Sequence, residues 1–276
     1  MFSVVIPLYN KELSIQNTIQ SVLDQTYQNF EIIVIDDGST DDSAEQVNKI
    51  EDHRIRLIQQ KNQGVSTARN HGIKIAKNEW IALLDGDDLW EVNHLEEIEK
   101  MMQKFPDEKV YVTSFEYSDK RPMFKYPRKN TVFKIDNYFK EALRENLMWT
   151  SIVVANKECF DKVGYFNVVL SRGEDLDLWA RLAREYRIIK SSMITAIYRI
   201  EAENRSSATF NINKSRVFNY SFLDSKSQEE SDYYKSQINN ALRGFLVNRD
   251  LKSFFILLKK HRKNISLFSL LRTKSI

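Results

Sequence analysis

The chain has one cysteine in 276 residues, Cys159, which excludes an internal disulfide framework and any zinc site built from several cysteines. Such sparing use of cysteine suits a reducing compartment, and Cys159 itself reads as a small hydrophobe packed in a helix. His53, His71, His94 and His261 stand apart without the His-x-x-x-His spacing of a zinc pair. Gly38, Gly64 and Gly86 form neither a Gly-x-Gly-x-x-Gly element nor a Walker loop, so the dinucleotide and P-loop readings fail. No run approaches the ~18 unbroken apolar residues of a membrane-spanning helix. Met1-Phe2-Ser3-Val4-Val5-Ile6 has no basic start followed by a long apolar stretch, so no secretory leader is expected and the expected location is cytoplasmic. The formal net charge of +3 is too small to indicate nucleic acid, whose binding needs many clustered Lys and Arg.

Hydrophobic residues make up 42% of the chain and charged residues 29%, the balance of a soluble globular protein with a sizeable core. Near-continuous apolar runs at Ser3–Leu8, Phe30–Ile35, Ile55–Gln59 and Trp80–Leu84 read as buried strands. Between them, Ile15, Ile19, Val22 and Leu23 fall on one helical face, as do Val65, Ala68, Gly72 and Ala76. This alternation predicts an α/β fold with right-handed crossovers and a mostly parallel central sheet flanked by helices. Further on, Val110–Tyr117 reads as a strand and Lys120–Lys134 as a surface loop of the length common in lids. A helix is expected from about Glu174, and Ile188–Ile200 reads as one or two strands. Beyond about Asn211 the pattern is wholly helical, giving a division into residues 1–210 and a helical C-terminal extension, 211–276.

In open α/β sheets the ligand crevice lies at the carboxyl ends of the strands. Two acidic clusters fall there: Asp36-Asp37-Gly38-Ser39-Thr40-Asp41 after the second strand and Asp85-Gly86-Asp87-Asp88 after the fourth. Like charges in one crevice are unfavourable unless a cation or hydrogen-bond donors offset them, so the pattern suggests a divalent metal. Asp85 and Asp87 offer the hard oxygens that Mg²⁺ or Mn²⁺ takes, with diphosphate and water filling the other positions. An isolated Asp-Gly-Asp is more often only a turn. Ser39 and Asp42 fit a helix cap, which leaves Asp36 and Asp37 free to accept from a ribose or a base.

Taken in order, Val4-Val5-Ile6-Pro7-Leu8-Tyr9-Asn10, Asp36-Asp37-Gly38-Ser39-Thr40-Asp41, Asn62-Gln63-Gly64-Val65-Ser66-Thr67-Ala68-Arg69-Asn70, Leu84-Asp85-Gly86-Asp87-Asp88 and Gly173-Glu174-Asp175 resemble the motifs of family 2 glycosyltransferases. The resemblance covers roughly residues 1 to 200 and implies the GT-A fold. It implies an inverting transfer from a nucleotide-diphospho-sugar, with a UDP-sugar expected, to the hydroxyl of a glycan or lipid-linked acceptor in cell-surface synthesis. Carried over, Pro7, Tyr9, Asn10, Glu12, Asp36, Asp37, Asn62, Arg69, Asp85, Gly86 and Trp179 would surround the nucleotide sugar. Asp85 and Asp87 would form the metal-binding DxD element for Mn²⁺ or Mg²⁺, with Asp87 the direct ligand. Glu174 and Asp175 would be the catalytic pair, with Asp175 as general base. Core packing is the competing role for Trp179, which shares a helical face with Ala183. The chain departs from the family where many relatives place a metal-side His after a Tyr-Arg pair. Here Tyr198-Arg199-Ile200 leads to Glu201, a carboxylate that could serve as a ligand or stand on the surface.

A non-catalytic sugar-nucleotide or glycan binder and a nucleotidyltransferase are the rival readings. A binder has no need of Asp175, and a nucleotidyltransferase would release pyrophosphate. The segment from Leu251 to Lys263 joins Phe254, Phe255, Leu257 and Leu258 to Lys252, Lys259, Lys260, Arg262 and Lys263 without an acid. Such a segment either lies on an anionic membrane face as a peripheral anchor or packs back on the catalytic unit.

Overall fold

The computed structural model describes residues 1–123, 130–204 and 211–265. The chain opens with β1 (Phe2–Leu8), α1 (Ile15–Leu23), β2 (Phe30–Asp36), α2 (Ser43–Asn48), β3 (Ile55–Gln59), α3 (Val65–Ile75) and β4 (Trp80–Leu83). It continues through β5 (Leu89–Trp90), α4 (His94–Lys104), β6 (Val110–Tyr117), β7 (Val132–Lys134), α5 (Tyr138–Glu141), β8 (Val153–Asn156) and α6 (Lys157–Val163). The remainder is α7 (Glu174–Glu185), β9 (Ile188–Tyr198), α8 (Arg216–Asn219), α9 (Gln228–Val247) and α10 (Leu251–His261).

Together the strands form one nine-stranded sheet in the order β3-β2-β1-β4-β8-β6-β9-β5, with β7 pairing on β9. The half β3-β2-β1-β4 is parallel, as its unbroken apolar runs predict, and β1 is buried along its whole length because both faces are covered. β8 runs antiparallel to both β4 and β6, and β6 and β9 are parallel to each other, so the sheet as a whole is mixed. Helix α1 buries Ile15, Ile19 and Val22, the face expected from their spacing. Parallel register aligns Leu8 with Asp36 and Asp36 with Gln59, so the loops after β1 and β2 leave one edge of the sheet together.

Gly86 shows how tightly that edge is assembled. A Cβ there would stand 2.8 Å from the carbonyl oxygen of Pro7, a backbone atom in the middle strand. Gly86→Ala is therefore expected to cost about 1–3 kcal/mol by overpacking. Thermal unfolding checks this: a lower midpoint is the expected outcome, and an unchanged one would mean that β1 can yield at Pro7.

The last helices are joined to the main core. Tyr233 and Tyr234 of α9 belong to it, and Arg184 of α7 pairs with Glu230, whose side chain is fully buried. A second, smaller apolar cluster is made by Ile212, Ile238, Leu242, Phe254 and Leu257. Within the Lys120–Lys134 segment expected as a loop, Val132–Lys134 forms β7, while residues 124–129 lie outside the described residues. Residues 205–210 and 266–276 lie outside them as well.

Candidate active site

The two acidic clusters do different work. Asp36, at the end of β2, accepts from the Ser39 amide at 2.9 Å and from Gln59 Nε2 at 3.1 Å. Asp37 accepts from Gln60 Nε2 at 2.7 Å and from the amides of Gln63 at 3.0 Å and Gly64 at 2.7 Å. Both carboxylates are buried, and together they shape the loops that lead into α2 and α3. Asn10, at a positive φ of 50°, donates its amide to Ser39 Oγ at 3.0 Å and accepts from the Thr40 amide at 2.8 Å. Glu12 accepts from the Asp42 amide at 3.0 Å. The loops after β1 and β2 are thereby laced side to side, with Tyr9 left 40% exposed, and Asn62 is exposed as well.

After β4, Asp85, Asp87 and Asp88 crowd one turn. Arg69 reaches it from α3, donating Nη2 to Asp85 Oδ1 at 2.6 Å and Nη1 to Glu174 Oε1 at 3.1 Å. The family resemblance puts Arg69 among the residues around the nucleotide sugar; in the fold its buried guanidinium bridges the two carboxylate motifs and lies over the Phe166 ring at 5.1 Å. Asp85 and Glu174 outweigh the cost of burial and hold Arg69 firmly in its charged form. Asp87 Oδ2 pairs with Lys11 Nζ at 2.7 Å. Asp88 is buried, accepts from Ser151 Oγ at 2.7 Å, and is pushed well above the carboxylate range by desolvation and by the charges of Asp85 and Asp87.

Helix α7 begins at the left-handed Gly173, with φ 75°, and carries Glu174, Asp175 and Asp177 in its first turn. A helix N-terminus favours carboxylates there. For Asp175 burial wins: desolvation, then the neighbouring Glu174 charge, pushes it up to about 6 against the Leu176 amide and Arg69. A carboxyl with its midpoint there is suited to accept a proton near neutral pH. Asp177 is held by Arg181 Nε at 3.0 Å.

Trp179 is fully buried, edge-on to Phe166 with ring centroids 5.9 Å apart, in the core position that its helical spacing allowed. Glu201 does not join Asp85 and Asp87. Its side chain is 58% exposed and accepts from Ser118 Oγ at 2.5 Å and Arg199 Nε at 3.3 Å. Among the described residues no three of His, Cys, Asp or Glu form a cage for a metal. Asp87 holds a cation, the Lys11 ammonium, and a carboxylate pair such as Asp85 and Asp87 would hold Mg²⁺ or Mn²⁺ with diphosphate oxygens and water in the other positions. Lys11 and Ser151 are not singled out by sequence, and Arg199, named there only within the Tyr-Arg pair, donates its amide to Asp88 Oδ1 at 3.3 Å. Lys11 meets Asp87 from 76 positions away, and only the fold brings them together. A cavity of about 790 Å³ opens elsewhere, between β6, β9 and α9, and none of Asp85, Asp87 or Asp175 lines it.

With this geometry in place, comparison with known proteins decides the family. The family model described as glycosyl transferase family 2 matches residues 3–164. The chain belongs to that family. It is 32% identical over 217 residues to WfaP of Escherichia coli, a UDP-Glc:α-D-GlcNAc-diphosphoundecaprenol β-1,3-glucosyltransferase, covering 76% of this chain and 81% of WfaP. Four other curated relatives, from Rickettsia and Streptococcus pneumoniae, are longer, and the chain spans 29% to 40% of their length. Among solved structures, residues 1–349 of S. aureus TarS in complex with UDP-GlcNAc superpose with a TM-score of 0.68 at 17% identity, over 96% of this chain and 93% of that one. The mannosyltransferase PcManGT of Pyrobaculum calidifontis, in complex with GDP-Man and Mn²⁺, gives a TM-score of 0.56 at 20% identity over 71% and 56% of the two chains. The fold is of the GT-A type, with a helical C-terminal region.

Proposed function

We propose that the chain is an inverting, metal-dependent glycosyltransferase that moves a sugar from a nucleotide diphosphate to an acceptor hydroxyl, with residues 1–210 as the catalytic unit. The observation that carries this reading is the Arg69 bridge: one buried guanidinium holds Asp85 of the acidic turn and Glu174 of the catalytic pair. That bridge supports a reading with a carboxylate turn able to hold a cation on one side and a half-buried carboxyl able to act as base on the other, the two things that displacement at an anomeric carbon needs. Asp175 would take the proton of the acceptor hydroxyl as its oxygen attacks from the face opposite the nucleotide. Arg69 would keep Glu174 and Asp85 at fixed separation, and Asp36 and Asp37 would set the loops that receive the base and ribose. A divalent ion held at Asp87, with Asp85 beside it, would neutralise the departing diphosphate.

The reactants named for WfaP support a UDP-sugar as donor and a lipid-linked or glycan acceptor. UDP-GlcNAc in the TarS complex and Mn²⁺ in the PcManGT complex are consistent with both halves of the proposal. A screen of nucleotide sugars for slow hydrolysis tests the reaction class. Release of a nucleoside diphosphate from one donor is expected, whereas pyrophosphate would instead mark a nucleotidyltransferase.

Contact with a membrane is part of the same proposal. No described helix is long and apolar enough to cross one. Helix α10 packs Phe254, Leu257 and His261 inward, yet Leu251 and Phe255 stay 55% and 61% exposed beside Leu246 and Val247 of α9. With Lys252, Lys259 and Lys260 on the same helix, each worth about 1 kcal/mol near an anionic surface before screening, the α9–α10 corner suits peripheral attachment. The chain is expected to float with anionic vesicles and to be released by high salt. Flotation that Leu251→Ser with Phe255→Ser leaves unchanged would rule this corner out.

A further inference from the structure

The fold brings the Lys11 ammonium onto Asp87. Its side chain is 11% exposed, and its amide is fixed to Ser43 Oγ at 2.7 Å. Besides Asp87 Oδ2, the ammonium donates to the backbone carbonyls of Glu203 and, at 3.2 Å, Asn204. A carboxylate oxygen and two carbonyl oxygens around one cation are the hard donors that a divalent ion also takes. The strap after β9 is latched at the same place by its own side chains. Glu203 accepts from the Leu13 amide at 3.0 Å and Ser14 Oγ at 2.5 Å, and Asn204 Nδ2 donates to the Tyr9 carbonyl at 3.0 Å. Residues 203–204 therefore bear on the β1–α1 loop through Lys11 and its neighbours.

From this geometry we infer that Lys11 is an internal stand-in for the divalent ion: its ammonium neutralises Asp87 in the donor-free protein, and the ion displaces it. The inference rests on the proposed role of Asp87. Two cations at one carboxylate repel each other, so the seating of Lys11 on Asp87 Oδ2 weakens binding of the ion there, and binding of the ion weakens the seating of Lys11. Lysine is fitted to the exchange, being a compact charge on a flexible stem that also serves as a point-charge partner for phosphate. Once displaced, Lys11 would give up the carbonyls of Glu203 and Asn204, and its ammonium would be free to serve as a partner for the diphosphate.

Calorimetric titration with Mn²⁺, alone and in the presence of UDP, tests this in the wild-type protein, Lys11→Met and Lys11→Arg. Lys11→Met should bind Mn²⁺ alone about tenfold more tightly than wild type, a factor equivalent to ~1.4 kcal/mol. Lys11→Arg, which keeps a cation, should bind it more weakly than Lys11→Met. A second measurement needs no variant: saturating Mn²⁺ should make Lys11 more reactive toward an amine-acylating reagent, read by peptide mass spectrometry. Equal Mn²⁺ affinity in wild type and Lys11→Met, or Lys11 reactivity indifferent to bound Mn²⁺, overturns the stand-in role and leaves the proposed reaction standing. No Mn²⁺ binding to any of the three proteins, even with UDP, overturns both.

Discussion

Asp175→Asn is expected to lower sugar transfer by at least ~10²-fold while donor affinity stays near that of wild type, the loss typical of a missing general base. The substitution keeps size and shape and removes the ability to take a proton. Asp175 is the residue of its helix turn to which burial gives a midpoint of about 6. Glu174 is engaged by Arg69 and Asp177 by Arg181, so neither is as free to act. Near-normal turnover in the variant would move the role to one of them. The same shift fixes the pH dependence. A base works only when unprotonated, and burial has raised the Asp175 midpoint, so kcat/KM of the wild-type protein should be full above about 6 and fall as pH drops through that value. A profile flat down to about pH 4, the ordinary carboxylate range, would show that this group is not the base.

Asp87→Ala is the second large effect. UDP should bind the wild-type protein more tightly with Mn²⁺ or Mg²⁺ than with EDTA, and the variant should lose that difference. A metal acting as Lewis acid contributes several kcal/mol, so turnover should also fall by ~10²-fold or more. Calorimetry giving one UDP affinity for both proteins in all three conditions would refute the placing of the ion at Asp87. Asp88 is a poor substitute for it, since it is buried and held by Ser151, and burial followed by the charges of Asp85 and Asp87 raises the cost of ionising it.

The parts of this molecule legible in the sequence were those governed by local pattern. β1 is an unbroken apolar run because helices cover both its faces, and α1 shows its buried face at helical spacing. β8 escaped notice because Val153–Asn156 is short and enters from a 3₁₀ turn at Thr150–Ile152, so neither periodicity nor length announces a strand. Its antiparallel direction, which makes the sheet mixed, is a property of the crossover rather than of those four residues. The acidic motifs were visible because chemistry packs them into short strings. Their connections were not: Arg69 reaches 16 positions to Asp85 and 105 to Glu174, and Lys11 reaches 76 to Asp87. Arg69 was recognised as a site residue by its motif, but its work as a bridge belongs to tertiary structure. The small second core of the C-terminal helices was likewise hidden, since one side of α10 packs inward while Leu251 and Phe255 stay outside, and composition alone could not divide the two.

The most direct test of the central claim is the anomeric configuration of the product. An acceptor hydroxyl deprotonated by Asp175 and attacking opposite the diphosphate must invert the anomeric carbon. Proton NMR of the product formed from the donor found in the nucleotide-sugar screen reads this without further assumption. Inversion, lost together with product in Asp175→Asn, is the expected result. A product that retains the configuration of the donor would contradict the assignment of Asp175 as the base and the geometry of attack built on it.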